Sequence, residues 1–245
     1  MSKKIQLQNK GKNTGYFELK NMTDTSVDLM IYGDISSSEW WGDEVTPTQI
    51  HDLLNEAGGK DLNIYINSPG GDVFAGVAIY NMLKRYSGKK EVYVDGLAAS
   101  AASIIAMAGD TINIPENAYL MIHNAWTVVW GNAKELLKEV ELLENIDNTI
   151  ANTYTSKAAN DTSLETFKEL MDKETWLSGN EAKTYFNVNV IDNKPVAACI
   201  DMEVFNKYKH IPENLKNSKK NKEDEKIKNK KLELEKAKLK LLTMI

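Results

Sequence analysis

The amino-acid sequence predicts an α/β fold. Three observations carry that reading. Short stretches of alternating apolar residues, such as LNIYIN and EVYVD, recur as far as Ile191. Segments with helical spacing separate them, and Gly, Pro, Asn and Asp mark the junctions between the two. Strands alternating with helices imply crossover connections within one sheet. The composition permits such a fold: of 245 residues, 42% are hydrophobic and 27% charged, enough to bury a sizeable core and to exclude a wholly disordered chain.

The elements follow in order. Thr25–Tyr32 (TSVDLMIY) reads as a strand. Thr46 and Pro47 open a helix, as an N-cap and a first-turn proline, and Gly58-Gly59 close it. Leu62–Asn67 is a strand, and the SPGGD that follows breaks the chain. Helical spacing returns over Val73–Tyr86, at Val73, Val77, Tyr80, Met82 and Leu83. Glu91–Asp95 is a strand; Gly96 then allows a sharp turn into a helix of small residues from about Ser100 to Ala108. Thr111–Ile114 and Tyr119–Ile122 are short strands joined by a Pro-Glu-Asn turn. Ala133–Lys157 is a long helix with Leu136, Leu137, Val140, Leu143, Ile146 and Ile150 on one side. Ser163–Met171 and Ser178–Tyr185 are further helices, and Val188–Ile191 is a last strand. There is no internal repeat.

Charge divides the chain into an N-terminal segment (1–25), a body (26–205) and a tail (206–245). The tail carries 13 lysines against 6 acidic residues, a net +7, while the preceding residues 1–205 sum to −12. An acidic body gives no reason to expect nucleic acid as substrate. The tail reads as a basic linker followed by a weakly amphipathic helix, with Ile227, Leu234 and Leu241 seven apart but Leu232 and Leu239 off that seam. A solvated charged tail fits equally well. Cys199 is the single cysteine, so an intramolecular disulfide and a four-cysteine metal site are excluded. Basic residues at the N-terminus precede no apolar run, and the longest apolar stretch, Leu97 to Gly109, is 13 residues. Neither suits a secretory signal or a bilayer span. The expectation is a soluble protein of a reducing compartment, without a membrane partner.

Four stretches hold residue types suited to chemistry. In VDGLAASAASIIAMAG, Ser100 falls at a strand-to-helix junction among small residues, where free helix N–H groups would favour a developing oxyanion. On that stretch alone, a serine capping a buried helix is the commoner arrangement. In NSPGGD, Gly70 and Gly71 let the backbone approach a ligand, and the Gly71 N–H could donate to an oxyanion; an ordinary tight turn is the plainer reading. No GxxxxGK[ST] or GxGxxG pattern supports phosphate binding. His123 follows Met121-Ile122 at a strand end and could act as a general base, or be a satisfied structural histidine. In MDKETWLSGNEA, Asp172 or Glu174 could orient His123, cap the next helix or face solvent. Ser103 lies one turn inside the helix and points toward packing, and Ser36–Ser38 lie in a polar loop. Together the four stretches supply the nucleophile, base, orienting acid and oxyanion donor of a serine hydrolase.

YINSPGGDVFAGVAIYNML, VDGLAASAASIIAMAG, AYLMIHNA and ETWLSGNEA, in this order and at these separations, resemble the ClpP family of serine peptidases, over roughly Val27 to Asp192. Within it the resemblance is closest to the phage-encoded branch of head maturation proteases. It implies the ClpP/crotonase-like spiral of β-β-α units, with Ala133–Lys157 as the handle helix through which rings stack. It implies Ser100 as nucleophile, His123 as base, and the Gly71 and Ala101 amides as the oxyanion hole. Ala101 stands where the family often has Met, but the donor there is main-chain. Glu174 aligns with the usual Asp, with Asp172 two residues earlier as the alternate. No cofactor or metal is implied. The resemblance further implies ring homo-oligomers in the host cytoplasm or the phage prohead, acting without ATP on capsid or scaffold protein, the basic tail docking on the shell. Housekeeping subunits usually end soon after the last strand, so the tail favours this reading. The alternatives are a proteolytic subunit needing an ATP-driven unfoldase, a non-catalytic ring module and, with less support, a Ser-Lys peptidase.

Overall fold

The computed structural model describes residues 16–39, 44–192 and 208–212. The tail helix expected beyond residue 212, Cys199 and the first fifteen residues lie outside the described residues. The fold is mixed α/β, as the alternating pattern predicts. One eight-stranded sheet runs in the order β1-β2-β3-β4-β5-β8, with β6 paired to β4 and β7 paired to β6. The strands are β1 (Tyr16–Lys20), β2 (Ser26–Tyr32), β3 (Asp61–Ser68), β4 (Lys90–Ala99), β5 (Thr111–Pro115), β6 (Tyr119–Ile122), β7 (Thr175–Ser178) and β8 (Asn189–Ile191). The helices are α1 (Pro47–Ala57), α2 (Val73–Arg85), α3 (Ala101–Ala106), α4 (Ala133–Thr155), α5 (Leu164–Asp172) and α6 (Gly179–Tyr185). Pairing is parallel throughout except at β1–β2 and β6–β7.

Alternation decides which face is buried. Val27, Leu29 and Ile31 of β2, Leu62, Ile64 and Ile66 of β3, and Val92 and Val94 of β4 form one buried layer. Ile50 and Leu54 of α1, Ile79 and Leu83 of α2, and Ile104 and Ile105 of α3 join the same core. Tyr65 and Tyr93 point the other way and stack with ring centroids 5.1 Å apart. Local signals end the helices where expected. Thr46 and Gln49 form a reciprocal capping box on α1, and Gly58 adopts the left-handed conformation after it.

Two features differ from the sequence reading. β4 does not turn at Gly96; it continues to Ala99, pairing first with β5 over Glu91–Tyr93 and then with β6 over Leu97–Ala99. The sharp turn falls at Ser100 instead, because the second pairing keeps the backbone extended past the glycine. β1 and β7 are additional strands, each formed against a partner rather than by a strong pattern of its own. The apolar side of α4 also divides. Ile150 and Tyr154 are buried in the core, while Leu137 and Val140, nearer its start, stand exposed.

Candidate active site

Three parallel strands end side by side, and their register builds the site. In the β4–β6 ladder Ala99 faces Met121, and the Ser100 N–H donates to the Met121 carbonyl at 2.9 Å. Ser100 and His123, each just past the end of its strand, therefore become neighbours. The His123 Nε2 and Ser100 Oγ lie 2.8 Å apart, within hydrogen-bonding distance. The hydroxyl caps no helix amide, although Ser100 occupies the N-cap position of α3. The capping alternative is thereby excluded.

Ser100 holds φ 53 and ψ −125, a conformation few non-glycine residues adopt. The surroundings enforce it. A Cβ placed on Gly70 would sit 2.5 Å from the Ala99 carbonyl oxygen and 2.7 Å from the Ser100 Cβ, so the glycine loop packs directly under the serine. Position 76 of α2 is likewise held to glycine, since a Cβ there would lie 2.9 Å from that of Ala101.

Ile35 fixes the glycine loop by bonding on both sides of Gly71. Its N–H donates to the Gly70 carbonyl, and its carbonyl accepts from the Asp72 N–H, each at 2.9 Å. This pairing turns the N–H of Gly71 away from Ile35. Ala101 is the first residue of α3, where the helix offers its amide no internal acceptor. Both residues line a cavity of about 530 Å³ together with Ser100 and His123.

Burial holds the His123 pKa below its usual value, and the negative charge of Glu174 partly offsets this. The imidazole is therefore neutral near pH 7, the form that accepts a proton. Glu174 owes its place to β7. In the antiparallel β6–β7 register the last pair is Ile122 with Thr175; His123 and Glu174 lie just beyond it, Glu174 with a left-handed backbone at φ 48. The structure nevertheless gives neither carboxylate a hydrogen bond to His123. Oε1 of Glu174 accepts from the backbone N–H groups of Lys209 and His210, at 2.8 and 2.7 Å. Asp172 accepts from the Asn124 side chain at 2.7 Å.

Ser103 is fully buried; its hydroxyl donates to the Ser100 carbonyl at 2.6 Å and shares a bond with the Tyr154 hydroxyl at 2.7 Å. It braces the turn and has no path to the cavity. Ser36 bonds within its own exposed loop, to the Ser38 carbonyl, and His51 is exposed on α1. Two residues that sequence reasoning passed over also shape the site. Asp147 of α4 accepts the Ala125 N–H at 2.7 Å and so holds the strand exit that carries His123. Tyr208 packs edge-on against His123, with centroids 5.6 Å apart. A carboxylate at a helical position facing the histidine loop is a weak signal, and a tyrosine in a lysine-rich run is none. Among the described residues no group of three or more His, Cys, Asp or Glu could hold a metal ion, and no helix is long and apolar enough to cross a membrane.

A serine within hydrogen-bonding distance of a histidine, beside a glycine loop and the start of a helix at the carboxyl edge of a parallel sheet, is the geometry of a serine hydrolase. Comparison with known proteins narrows this class. The Clp protease family model matches residues 20–194, and the chain belongs to that family of serine peptidases. It is similar to the ATP-dependent Clp protease proteolytic subunit of Pleurastrum terricola, at 32% identity over 135 residues, covering 54% of this chain and 67% of the relative. The subunit of the same name from Oltmannsiellopsis viridis is 34% identical over 137 residues, covering 54% and 68%. That of Bacteroides fragilis (strain YCH46) is 32% identical over 132 residues, covering 52% and 58%. The matches thus span roughly three fifths to two thirds of each relative.

Proposed function

We propose that this chain is a serine endopeptidase in which Ser100 is the nucleophile, His123 the general base and Glu174 the acid that orients it. The observation that carries this reading is the 2.8 Å contact between Ser100 Oγ and His123 Nε2. Ser100 Oγ attacks a peptide carbonyl carbon while its proton passes to His123. The Gly71 and Ala101 amides receive the oxyanion. The C–N bond then breaks as His123 returns the proton to the leaving amine. Water, deprotonated by the same histidine, hydrolyses the acyl-enzyme and restores the serine. Glu174 is preferred over Asp172 because its charge acts on the His123 ring, whereas Asp172 bonds Asn124.

The substrate is an unfolded or extended protein, and the working form is a ring of identical subunits. The exposed Leu137 and Val140 on the first half of α4 fit burial against further copies. The biological role proposed is capsid maturation without ATP, by cleavage of shell or scaffold protein; the motif resemblance and the +7 tail support it. The names of the relatives favour a second role, as the proteolytic subunit of an ATP-dependent protease.

The test uses the purified chain and Ser100→Ala, with a fluorophosphonate probe and with co-expressed shell proteins read by mass. Wild type should label at Ser100 and trim the partner, while the variant does neither. Cleavage that persists in Ser100→Ala would remove the serine assignment. Cleavage that appears only with an unfoldase and ATP would favour the second role.

A further inference from the structure

Residues 208–212 cross the candidate site. Tyr208 is only 9% exposed, in a run otherwise rich in lysine. Its ring stands edge-on between His123 and Trp176, at 5.6 and 5.5 Å between centroids. Its hydroxyl donates to the carbonyl of Pro69, the residue leading into Gly70-Gly71. The same segment then offers the amides of Lys209 and His210 to one oxygen of Glu174. Three consecutive residues, Tyr208 to His210, thus touch all three parts of the site: the glycine loop, the base and the acid. Tyr208 also forms part of the cavity wall beside Ser100.

The consequence lies in what Glu174 is doing. Its charge acts on the His123 ring, yet its Oε1 accepts two charge-assisted bonds from the strap, with Trp176 Nε1 a more distant third at 3.5 Å, and none of its hydrogen bonds goes to His123. A histidine without its orienting carboxylate is a poor base: losing the acid of such a triad costs about 10⁴-fold in rate.

We propose that residues 208–212 are an intramolecular brake, holding Glu174 through its Oε1 in an orientation that makes no hydrogen bond to His123 and covering one wall of the cavity until the segment is displaced or cut. The proposal rests on the Ser100–His123 reading and adds its regulation. A brace that merely supported the pocket would need no claim on the carboxylate.

The experiment compares the full chain with the double variant Lys209→Pro/His210→Pro, which removes both amide donors and leaves every residue lining the cavity in place. The readout is the rate constant for fluorophosphonate labelling of Ser100, with circular dichroism to confirm folding. Release should raise that rate at least tenfold, and adding Glu174→Gln should remove the gain, since the gain comes from the freed carboxylate. Tyr208→Ala, which detaches the strap at its other anchor, is the second variant and must show the same dependence on Glu174. An unchanged or lower rate in folded variants overturns the brake, as does a gain that survives Glu174→Gln. Wild-type labelling without any gain sinks the brake alone. Absence of labelling in every chain sinks the nucleophile assignment and the brake with it.

Discussion

Replacing Ser100 by Gly and by Ala separates backbone strain from chemistry. Both substitutions delete the hydroxyl and its 2.8 Å contact with His123, so that loss cancels in the comparison. What differs is tolerance of φ 53, ψ −125. A non-glycine residue held in such a region costs about 1–3 kcal/mol, which glycine escapes. Glycine in turn loses about 0.5–1 kcal/mol through the greater freedom of its unfolded chain. The difference leaves Ser100→Gly more stable than Ser100→Ala by up to about 2.5 kcal/mol, about 1 kcal/mol at mid-range. For a chain of this size each kcal/mol moves the midpoint by about 2–4 °C, so the gap should be a few degrees. Urea titration of the two variants at one protein concentration, with Tm in parallel, measures it. A Ser100→Ala protein as stable as Ser100→Gly would mean that the turn is unstrained and that Gly70 does not force it.

Two other outcomes follow from the same geometry. Because burial depresses the His123 pKa, kcat/KM should fall as pH drops through a value below about 6.5, the ordinary histidine range. Glu174→Gln should move that limb lower still, since the lost charge was raising it; a limb at or above 6.5, or an upward move, would refute the assignment. The neutral ring's contribution to stability has the same sign: present above about 6.5, and lost as pH falls through the folded-state value. Ser103→Ala should cost about 1–3 kcal/mol, because it leaves the Tyr154 hydroxyl unpaired inside the core, whereas Tyr154→Phe should cost about 1 kcal/mol. Both should still label at Ser100; a folded Ser103→Ala protein that no longer labels would transfer the nucleophile to residue 103.

What could be read from the sequence was what is decided locally. Thr46, Pro47 and Gly58 bracket α1 within thirteen residues, and their signals need no partner. The buried strands β2 and β3 announce themselves by alternation. β7 is four residues long and is a strand only because β6 lies beside it; β1 depends likewise on β2. Gly96 misled for the same reason, since a glycine that permits a turn does not compel one when a second strand is available to pair. The closeness of Ser100 and His123 was legible only through four motifs taken together, because it arises from strand order. Tyr208 was not legible at all. Its burial depends on Pro69, 139 positions earlier, and nothing in NKYKHIPEN signals that contact.

The position of the site follows from β4 serving two partners. A strand that pairs with β5 and then with β6 forces those two neighbours apart, and the carboxyl ends of parallel strands leave their next amides and side chains facing the gap. Filling that gap with large residues would stabilise the sheet and bury the serine. The chain instead places Ala98, Ala99, Ala101 and Ala102 around Ser100, with Gly70 beneath it and Gly76 opposite Ala101. Close packing against the backbone, rather than bulk, then holds residue 100 in its strained turn. Strain and reactivity are therefore coupled at one position: any change that lets the Ser100 backbone relax also turns its hydroxyl away from His123. Stabilising substitutions at 70, 71, 76 or 101 should thus be rare, and those that stabilise should lower the rate at which the serine reacts.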